Sequence, residues 1–288
     1  MKKSKEVWTI SGILNWTRQY FGEKGVENPR LDAEVLLSHI LEVDRMYLYV
    51  HFDQPLEERE LAAFRVAVKK RAARLPVAYI IGSKEFMGLD FKVTPAVLIP
   101  RPDTEILVEA ALKRLAAVDS PRILDIGTGS GAICVSMLAK LQSAVGVAVD
   151  ISPEALLIAK ANAESHQVEE RLTFCQGDLF GPVQGQVFTA ILSNPPYIPE
   201  ADIAGLTPEV RQEPNQALVG GKDGLDFYRR IIHEGRNYLA TGGFIAMEVG
   251  IGQAPQVAAM AEKTGFFKVS EIIKDYGGIE RVVVLEEK

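Results

Sequence analysis

The chain is short of the residues that carry metal, redox and disulfide chemistry. Its two cysteines, Cys134 and Cys175, lie far apart with no CxxC or Cys/His spacing, which excludes a disulfide framework and leaves two small buried hydrophobes. The four histidines, His39, His51, His166 and His233, are scattered without an HExxH or a facing pair, so no metal site is expected. No apolar run approaches the roughly 20 residues of a membrane span. The opening Met-Lys-Lys-Ser-Lys lacks the continuous apolar segment of a secretion signal, and a cytoplasmic protein with no membrane partner is expected. Positive charge is in deficit: the net charge of -6 argues against a protein that works by coating nucleic acid, and permits a protein partner. Internal repeats and low-complexity segments are absent.

What is present is apolar material and two kinds of pattern. At 288 residues, 47% of them hydrophobic, the chain has enough for real cores and is long for one compact domain, so two unequal domains are expected. Residues 4 to about 76 read as helical. Ile10, Ile13, Leu14, Thr17, Tyr20 and Phe21 form one stripe at helical spacing; Leu61, Phe64, Val68, Ala72 and Leu75 form another. Asn28-Pro29 opens the helix between them, with Asn28 as the expected cap and Pro29 in the first turn. The cluster Lys69-Lys70-Arg71 with Arg74 reads either as a contact for RNA or, more simply, as a solvated helix face. Around Gly88 the pattern changes to the short β-type runs Lys84 to Met87 and Leu89 to Val93, a hairpin. The domains so drawn are a helical, substrate-recognising domain at 1–80, a β-hairpin linker at 81–100 and a larger domain at 101–288.

From Arg122 onward apolar runs alternate with helical stretches. Strands are expected at Ile123 to Asp125, Val145 to Val149, Leu172 to Cys175, Val187 to Leu192 and Gly243 to Val249. Helices are expected from Ala132, from Pro153 behind a Ser152 cap, from about Asp226 to Leu239, and near Pro255 to Lys263. The alternation predicts an α/β fold, a doubly wound sheet with helices on both faces, and the last runs, Val269 to Ile273 and Arg281 to Leu285, form an antiparallel edge pair. Ligands of such sheets collect at the carboxyl ends of the strands.

Three of those ends carry ligand-type residues. The turn Gly127-Thr128-Gly129-Ser130-Gly131 follows a strand and opens a helix, so missing side chains let the backbone approach a ligand. Its spacing differs from the GxGxxG dinucleotide fingerprint. Asp150 ends the next strand, where a carboxylate can accept from both hydroxyls of a ribose, and Asp178-Leu179 ends a third, where an acid or a backbone amide can face an adenine edge. By itself this segment also fits a dinucleotide oxidoreductase. Asn194-Pro195-Pro196-Tyr197, closing a fourth strand, argues for another chemistry. An asparagine stiffened by two prolines offers an amide oxygen and carbonyl acceptors, with an aromatic face beside them, an array that suits a planar NH2 group. Such a nitrogen is a poor nucleophile and must be held by its hydrogens before it attacks an electrophilic carbon. Together the motifs point to methyl transfer to nitrogen, with Asn194 Oδ1 and the Pro195 carbonyl each accepting one N–H and Tyr197 packed on the amide plane. Glu105, Glu213 and Glu248 are further polar candidates, equally readable as braces.

The residues match a known family over nearly the whole length: the chain resembles the bacterial release-factor glutamine methyltransferases of the HemK/PrmC type. The likeness rests on Pro76-Val-Ala-Tyr79-Ile-Ile-Gly82, the Phe86 to Val93 hairpin, IPRPDTE at 99–105, the glycine turn, NPPY, Glu213-Pro214 with Gly220 to Leu225, and Asp275-Tyr276-Gly277 with Arg281. NPPY alone is shared with methyltransferases of nucleic-acid bases; the other segments single out this branch. The resemblance implies a class I, Rossmann-like methyltransferase fold and methylation of the amide of the glutamine in the Gly-Gly-Gln loop of peptide chain release factors. By matched position Gly127, Thr128, Gly129, Ser130, Gly131, Asp150, Leu179 and Asn194 line S-adenosyl-L-methionine, and Asn194, Pro195, Pro196 and Tyr197 hold the glutamine. Two positions depart from the pattern: Gln212 stands where relatives often have an aromatic, and Leu179 where some have tryptophan. The rival readings are an enzyme acting on the exocyclic amine of a flipped base and a silent cofactor-binding scaffold.

Overall fold

In the computed structural model, which describes residues 7–288, the chain divides into two units. The first comprises the described residues up to Gly82 together with Pro208–Gln212, and the second comprises Ser83–Thr207 and Glu213–Lys288. The hairpin expected as a linker thus lies in the larger unit. Residues 1–6, including Met1 to Lys5 and the start of the helical run expected from residue 4, lie outside the described residues.

The first unit holds α1 (Ile10–Glu23), α2 (Pro29–Leu41), α3 (Arg45–Val50), α4 (Glu58–Ala72) and α5 (Val77–Ile81). Helix α1 begins where Thr9 Oγ1 accepts the Gly12 N–H, and its stripe buries Ile10, Ile13, Thr17 and Phe21 against Leu36, Leu37, Phe64 and Val68. Pro29 does open α2, but Asn28 makes no side-chain cap bond: its ψ of 63° departs from the extended backbone that aims a cap side chain at the first turn. In the basic cluster Lys69 and Lys70 are exposed, as a solvated helix face requires, while the two arginines depart from that reading. Arg71, its side chain 5% exposed, pairs with Asp32 at 2.7 Å and Glu209 at 2.8 Å, and Arg74 pairs with Glu209 at 2.7 Å. These arginines tie the unit internally, Glu209 arriving on the segment Pro208–Gln212.

The second unit begins with the hairpin β1 (Ser83–Phe86) and β2 (Leu89–Lys92) and continues through α6 (Pro102–Leu115), β3 (Arg122–Ile126), α7 (Ala132–Lys140), β4 (Val145–Asp150), α8 (Pro153–Ser165), β5 (Leu172–Gln176), β6 (Phe188–Ser193), α9 (Asp226–Gly235), β7 (Leu239–Glu248), α10 (Ala254–Lys263), β8 (Phe267–Lys274) and β9 (Glu280–Glu287). The sheet order is β5-β4-β3-β6-β7-β9-β8, parallel through β7, with β9 antiparallel to β7 and β8 antiparallel to β9. Strand alternation sends Ile123, Ala148, Ala190 and Leu192 to a core with α6 and α7, and Leu124, Val149, Ile191 and Ile245 to a core with α9 and α10. Ser152 caps α8 as expected, accepting from the Ala155 N–H at 3.1 Å.

Asn162 on α8 explains why the hairpin travels with this unit. Its Oδ1 accepts the Lys92 N–H at 2.8 Å, while Nδ2 donates to the Lys92 carbonyl at 3.0 Å and to the Ser130 carbonyl at 2.8 Å. One buried amide joins hairpin, helix and glycine turn. Chain order reverses between β3 and β6, and register sets Ile126 opposite both Val149 and Ser193, so the glycine turn and the segment after Ser193 emerge side by side.

Candidate active site

The glycine turn is stitched to its neighbours before any ligand is considered. The N–H groups of Gly127 and Thr128 both donate to the Val149 carbonyl, at 2.9 and 3.0 Å. Asp125, fully buried, accepts the Thr128 hydroxyl at 2.6 Å and the Cys134 N–H at 3.2 Å. Burial, with the Asp150 charge adding to it, pushes the Asp125 carboxyl up to about 7. Gly129, at φ +55°, takes the left-handed backbone that glycine accepts without strain, and a Cβ there would meet nothing within 4 Å, which leaves open space beside the backbone. Gly131 is glycine for packing, since a Cβ would come within 3.1 Å of the Ala159 Cβ.

Asp150 is held from two sides. Its Oδ2 accepts the Gly129 N–H at 2.8 Å and its Oδ1 accepts the Ser152 N–H at 2.9 Å, fixing the carboxylate while leaving further lone pairs to face the cleft. Burial raises its pKa, and the backbone donors oppose that shift. Asp178 stands at the cleft edge, but its carboxylate is taken up by Arg230 at 2.6 Å. Leu179 beside it is buried at φ +47°.

Beyond β6 the buried Ser193 hydroxyl donates to the Ile126 carbonyl at 2.8 Å, locking the NPPY segment to the glycine turn. Asn194 Nδ2 donates to Thr104 Oγ1 at 3.1 Å, and the Thr104 hydroxyl donates to Glu248 Oε2 at 2.5 Å. The amide nitrogen is thereby committed inward. Glu248 is 1% exposed, and burial pushes its carboxyl up to about 7. Tyr197 packs, half-buried, on the core beneath α9 and α10, with its carbonyl accepting from Gln253 Nε2 at 2.9 Å. Its phenol is pushed up to about 12 by burial and then by the Glu248 charge, so it is neutral near pH 7.

The other two acids are braces. Glu213 accepts the Ile99 N–H at 3.1 Å and pairs with Arg101, while Glu105 accepts the Met87 N–H at 2.6 Å. Together these fix the two ends of the segment that leads from the hairpin into α6.

A cleft of about 400 Å³ opens at the strand ends, a size in the range of small-molecule sites. Gly127, Gly129, Asp150, Asp178, Leu179, Asn194, Pro195 and Pro196 line it. Thr128, Ser130, Gly131 and Tyr197 are not among the residues that line it, the first three building the turn. Sequence reasoning missed other residues that line it, Ala96 to Leu98 with Gln216 and Ala217, and Phe227 and Arg230 on α9. No chemistry-bearing motif marks them; the proximity of IPRPDTE and Glu213-Pro214 was the available signal. An adenosyl group with a charged amino-acid tail fits these residues: a fixed acid for two hydroxyls, side-chain-free backbone for close approach, and a largely apolar slot. Among the described residues no group of three or more His, Cys, Asp or Glu side chains is placed to hold a metal ion, and no helix is long and apolar enough to cross a membrane.

Two family models match the chain, the PrmC N-terminal domain over residues 12–82 and the methyltransferase small domain over residues 102–221. The release factor glutamine methyltransferase of Geobacter sulfurreducens is 52% identical over 98% of this chain and 98% of its own. That of Moorella thermoacetica is 45% identical over 89% of this chain and 91% of its own. Among solved structures, a methyltransferase from Pyrococcus furiosus superposes with a TM-score of 0.51 at 19% identity, covering 80% of this chain and 98% of that one. The last likeness is one of fold: the sheet described above is that of a class I methyltransferase.

Proposed function

The chain belongs to the release factor glutamine methyltransferase family, and from that premise we propose that it methylates the side-chain amide nitrogen of the glutamine in the Gly-Gly-Gln loop of peptide chain release factors, using S-adenosyl-L-methionine. The observation that carries the reading is the commitment of Asn194 Nδ2 to Thr104, which leaves Oδ1 as the group free for a substrate N–H at the edge of the cleft.

Gly127, Gly129, Asp150 and Leu179 hold the cofactor in this reading, and the cofactor supplies a methyl carbon made electrophilic by its sulfonium. The protein's own task is to position the amide nitrogen. Asn194 Oδ1 and the Pro195 carbonyl each accept one N–H, drawing electron density toward the nitrogen and fixing its direction of attack. As positive charge develops there, those acceptors and the Tyr197 ring interact with it more strongly than with the neutral amide, and that difference lowers the barrier. No nucleophilic side chain is required, and the surplus proton leaves to water. The helical unit is assigned to recognition of the release factor: it exposes Met46, Tyr49, Val50 and Phe52 on and just after α3. A substrate in the translation machinery supports a cytoplasmic site of action.

The test is methyl incorporation from labelled S-adenosylmethionine into purified release factor, beside a Gln→Ala variant of its Gly-Gly-Gln loop and beside duplex and single-stranded DNA. Label on the unaltered factor alone is the expected result. Label on DNA and on neither factor would move the activity to an exocyclic base amine.

A further inference from the structure

We propose that Thr104 and Glu248 form a positioning relay that sets the polarity of the Asn194 amide, holding its NH2 edge inward and its Oδ1 toward the substrate nitrogen. The inference rests on the function proposed above and adds two residues to it. It starts from the hydrogen-bond directions. An ionised carboxylate can only accept, so the Thr104 hydroxyl hydrogen goes to Glu248 Oε2, across 2.5 Å. The Thr104 oxygen then has only lone pairs for its other neighbour, 3.1 Å away, and an amide meets lone pairs with Nδ2–H. The acceptor end is left for the cleft, where an NH2 group needs an acceptor. A carboxylate removed from the reacting atoms thus decides which end of Asn194 the substrate meets.

Protonation of Glu248 reverses the relay. With a proton on Oε2 the carboxyl donates to the Thr104 oxygen, and the Thr104 hydrogen turns toward Asn194. The amide can accept that hydrogen only through Oδ1, so it turns over and points NH2 at the NH2 of the substrate. Two donors then face each other and productive binding is lost. The charged and titratable groups around Glu248 are Asp103 and Arg101 at the start of α6, Arg281 on β9, Tyr197, and Tyr228 on α9, whose hydroxyl donates to the Glu248 carbonyl at 2.9 Å. Burial opposes the ionised form more strongly than Arg281 and Arg101 favour it, and the carboxyl is pushed up to about 7. The reversal therefore falls within the physiological range.

The experiment is a kcat–pH profile of the full chain with release factor, run beside E248Q, T104S and T104V, with cofactor binding by calorimetry as a check on folding. The wild-type kcat should rise about tenfold between about pH 6 and pH 8.5, as one carboxyl titrating near 7 requires. E248Q, whose amide oxygen still accepts from Thr104 but does not titrate, should give a flat profile some two- to fivefold below the wild-type plateau. T104S should keep the wild-type profile, and T104V should lose at least tenfold in kcat with the KM for cofactor unmoved. A wild-type limb that persists in E248Q, or a T104V with wild-type kcat, overturns the relay. A second readout needs no substrate: in 15N-asparagine-labelled protein the Asn194 side-chain NH2 resonances should shift with a midpoint near 7 and stay put in E248Q. If no methyl reaches the release factor, the function fails while this titration still decides the relay; if methyl is transferred and the resonances do not titrate, the relay fails alone.

Discussion

Asn194 has two polar ends, and each has a separate task. Nδ2 is spent on Thr104, and in the proposed mechanism Oδ1 is kept for the substrate. Asn194→Ala should therefore cost about 3 kcal/mol or more of transition-state stabilisation, a loss of two to three orders of magnitude in kcat. Cofactor affinity by calorimetry should stay close to wild type, and equal turnover would remove the clamp from the mechanism. Asp150 has the opposite profile. It already satisfies two backbone donors and in the proposed reading takes two more from a ribose, so Asp150→Ala should weaken cofactor binding about 10- to 100-fold, the worth of one or two hydrogen bonds to a charged group. An unchanged dissociation constant would reassign the ribose. Both positions were visible in the sequence because each closes a strand, Asp150 about 25 residues after Asp125 at the head of the glycine turn and Asn194 ahead of two prolines. Thr104 was not, because its role exists only where residues 90 and 144 positions away in sequence meet it. Arg71 and Arg74 show the same blindness from the other side: a run of basic residues gives no sign that a distant glutamate waits for two of them.

Among the elements, the helices and parallel strands followed periodicity closely, and the differences have local causes. Helix α9 stops at Gly235 and passes through one tighter turn at Arg236–Tyr238 before β7 begins at Leu239, earlier than the apolar run that announced it. The final antiparallel pair was legible as a pair, but not that β9 inserts between β7 and β8, since alternation fixes faces and says nothing of neighbours. Asn162, unmarked by any motif, makes α8 a bracket for both hairpin and glycine turn. Asn162→Ala would leave the buried Ser130 carbonyl short of a donor and the Lys92 N–H without an acceptor, and should destabilise the second unit by about 2 kcal/mol, read as a shift in its urea midpoint. At the level of α3, Met46→Ala with Phe52→Ala should raise the KM for release factor about tenfold and leave kcat untouched, in keeping with loss of two exposed hydrophobic anchors. A matching fall in kcat would move these side chains from docking to catalysis.

For the whole molecule, Asp125 and Glu248 make stability and pH oppose each other. Burial raises both carboxyls to about 7, well above the ordinary carboxylate range of about 4, so between those limits the folded state holds more protons than the unfolded one, and stability falls as pH rises. Glu34 and Glu209 are lowered against their own burial by hydrogen bonds from Tyr49 and Arg30 in the first case and Arg74 and Arg71 in the second, and their contribution is complete above about 4.5. The melting temperature should accordingly be higher at about pH 5.5 than at about pH 8, and the Asp125→Asn, Glu248→Gln double variant should flatten that fall. A wild-type melting temperature that climbs to pH 8 would contradict the burial of both acids as carboxyls. The chain itself adds a constraint in time. Arg74 and its partner Glu209 are 135 residues apart in sequence. At ribosomal rates of about 5 to 20 residues per second, the helical unit emerges and waits some 7 to 27 s for the glutamate that closes its pairs with Arg71 and Arg74. A nascent chain arrested near residue 100 should be markedly more protease-sensitive in its helices than one arrested after residue 240, so that this N-terminal unit finishes its own structure only after much of the catalytic sheet has been synthesised.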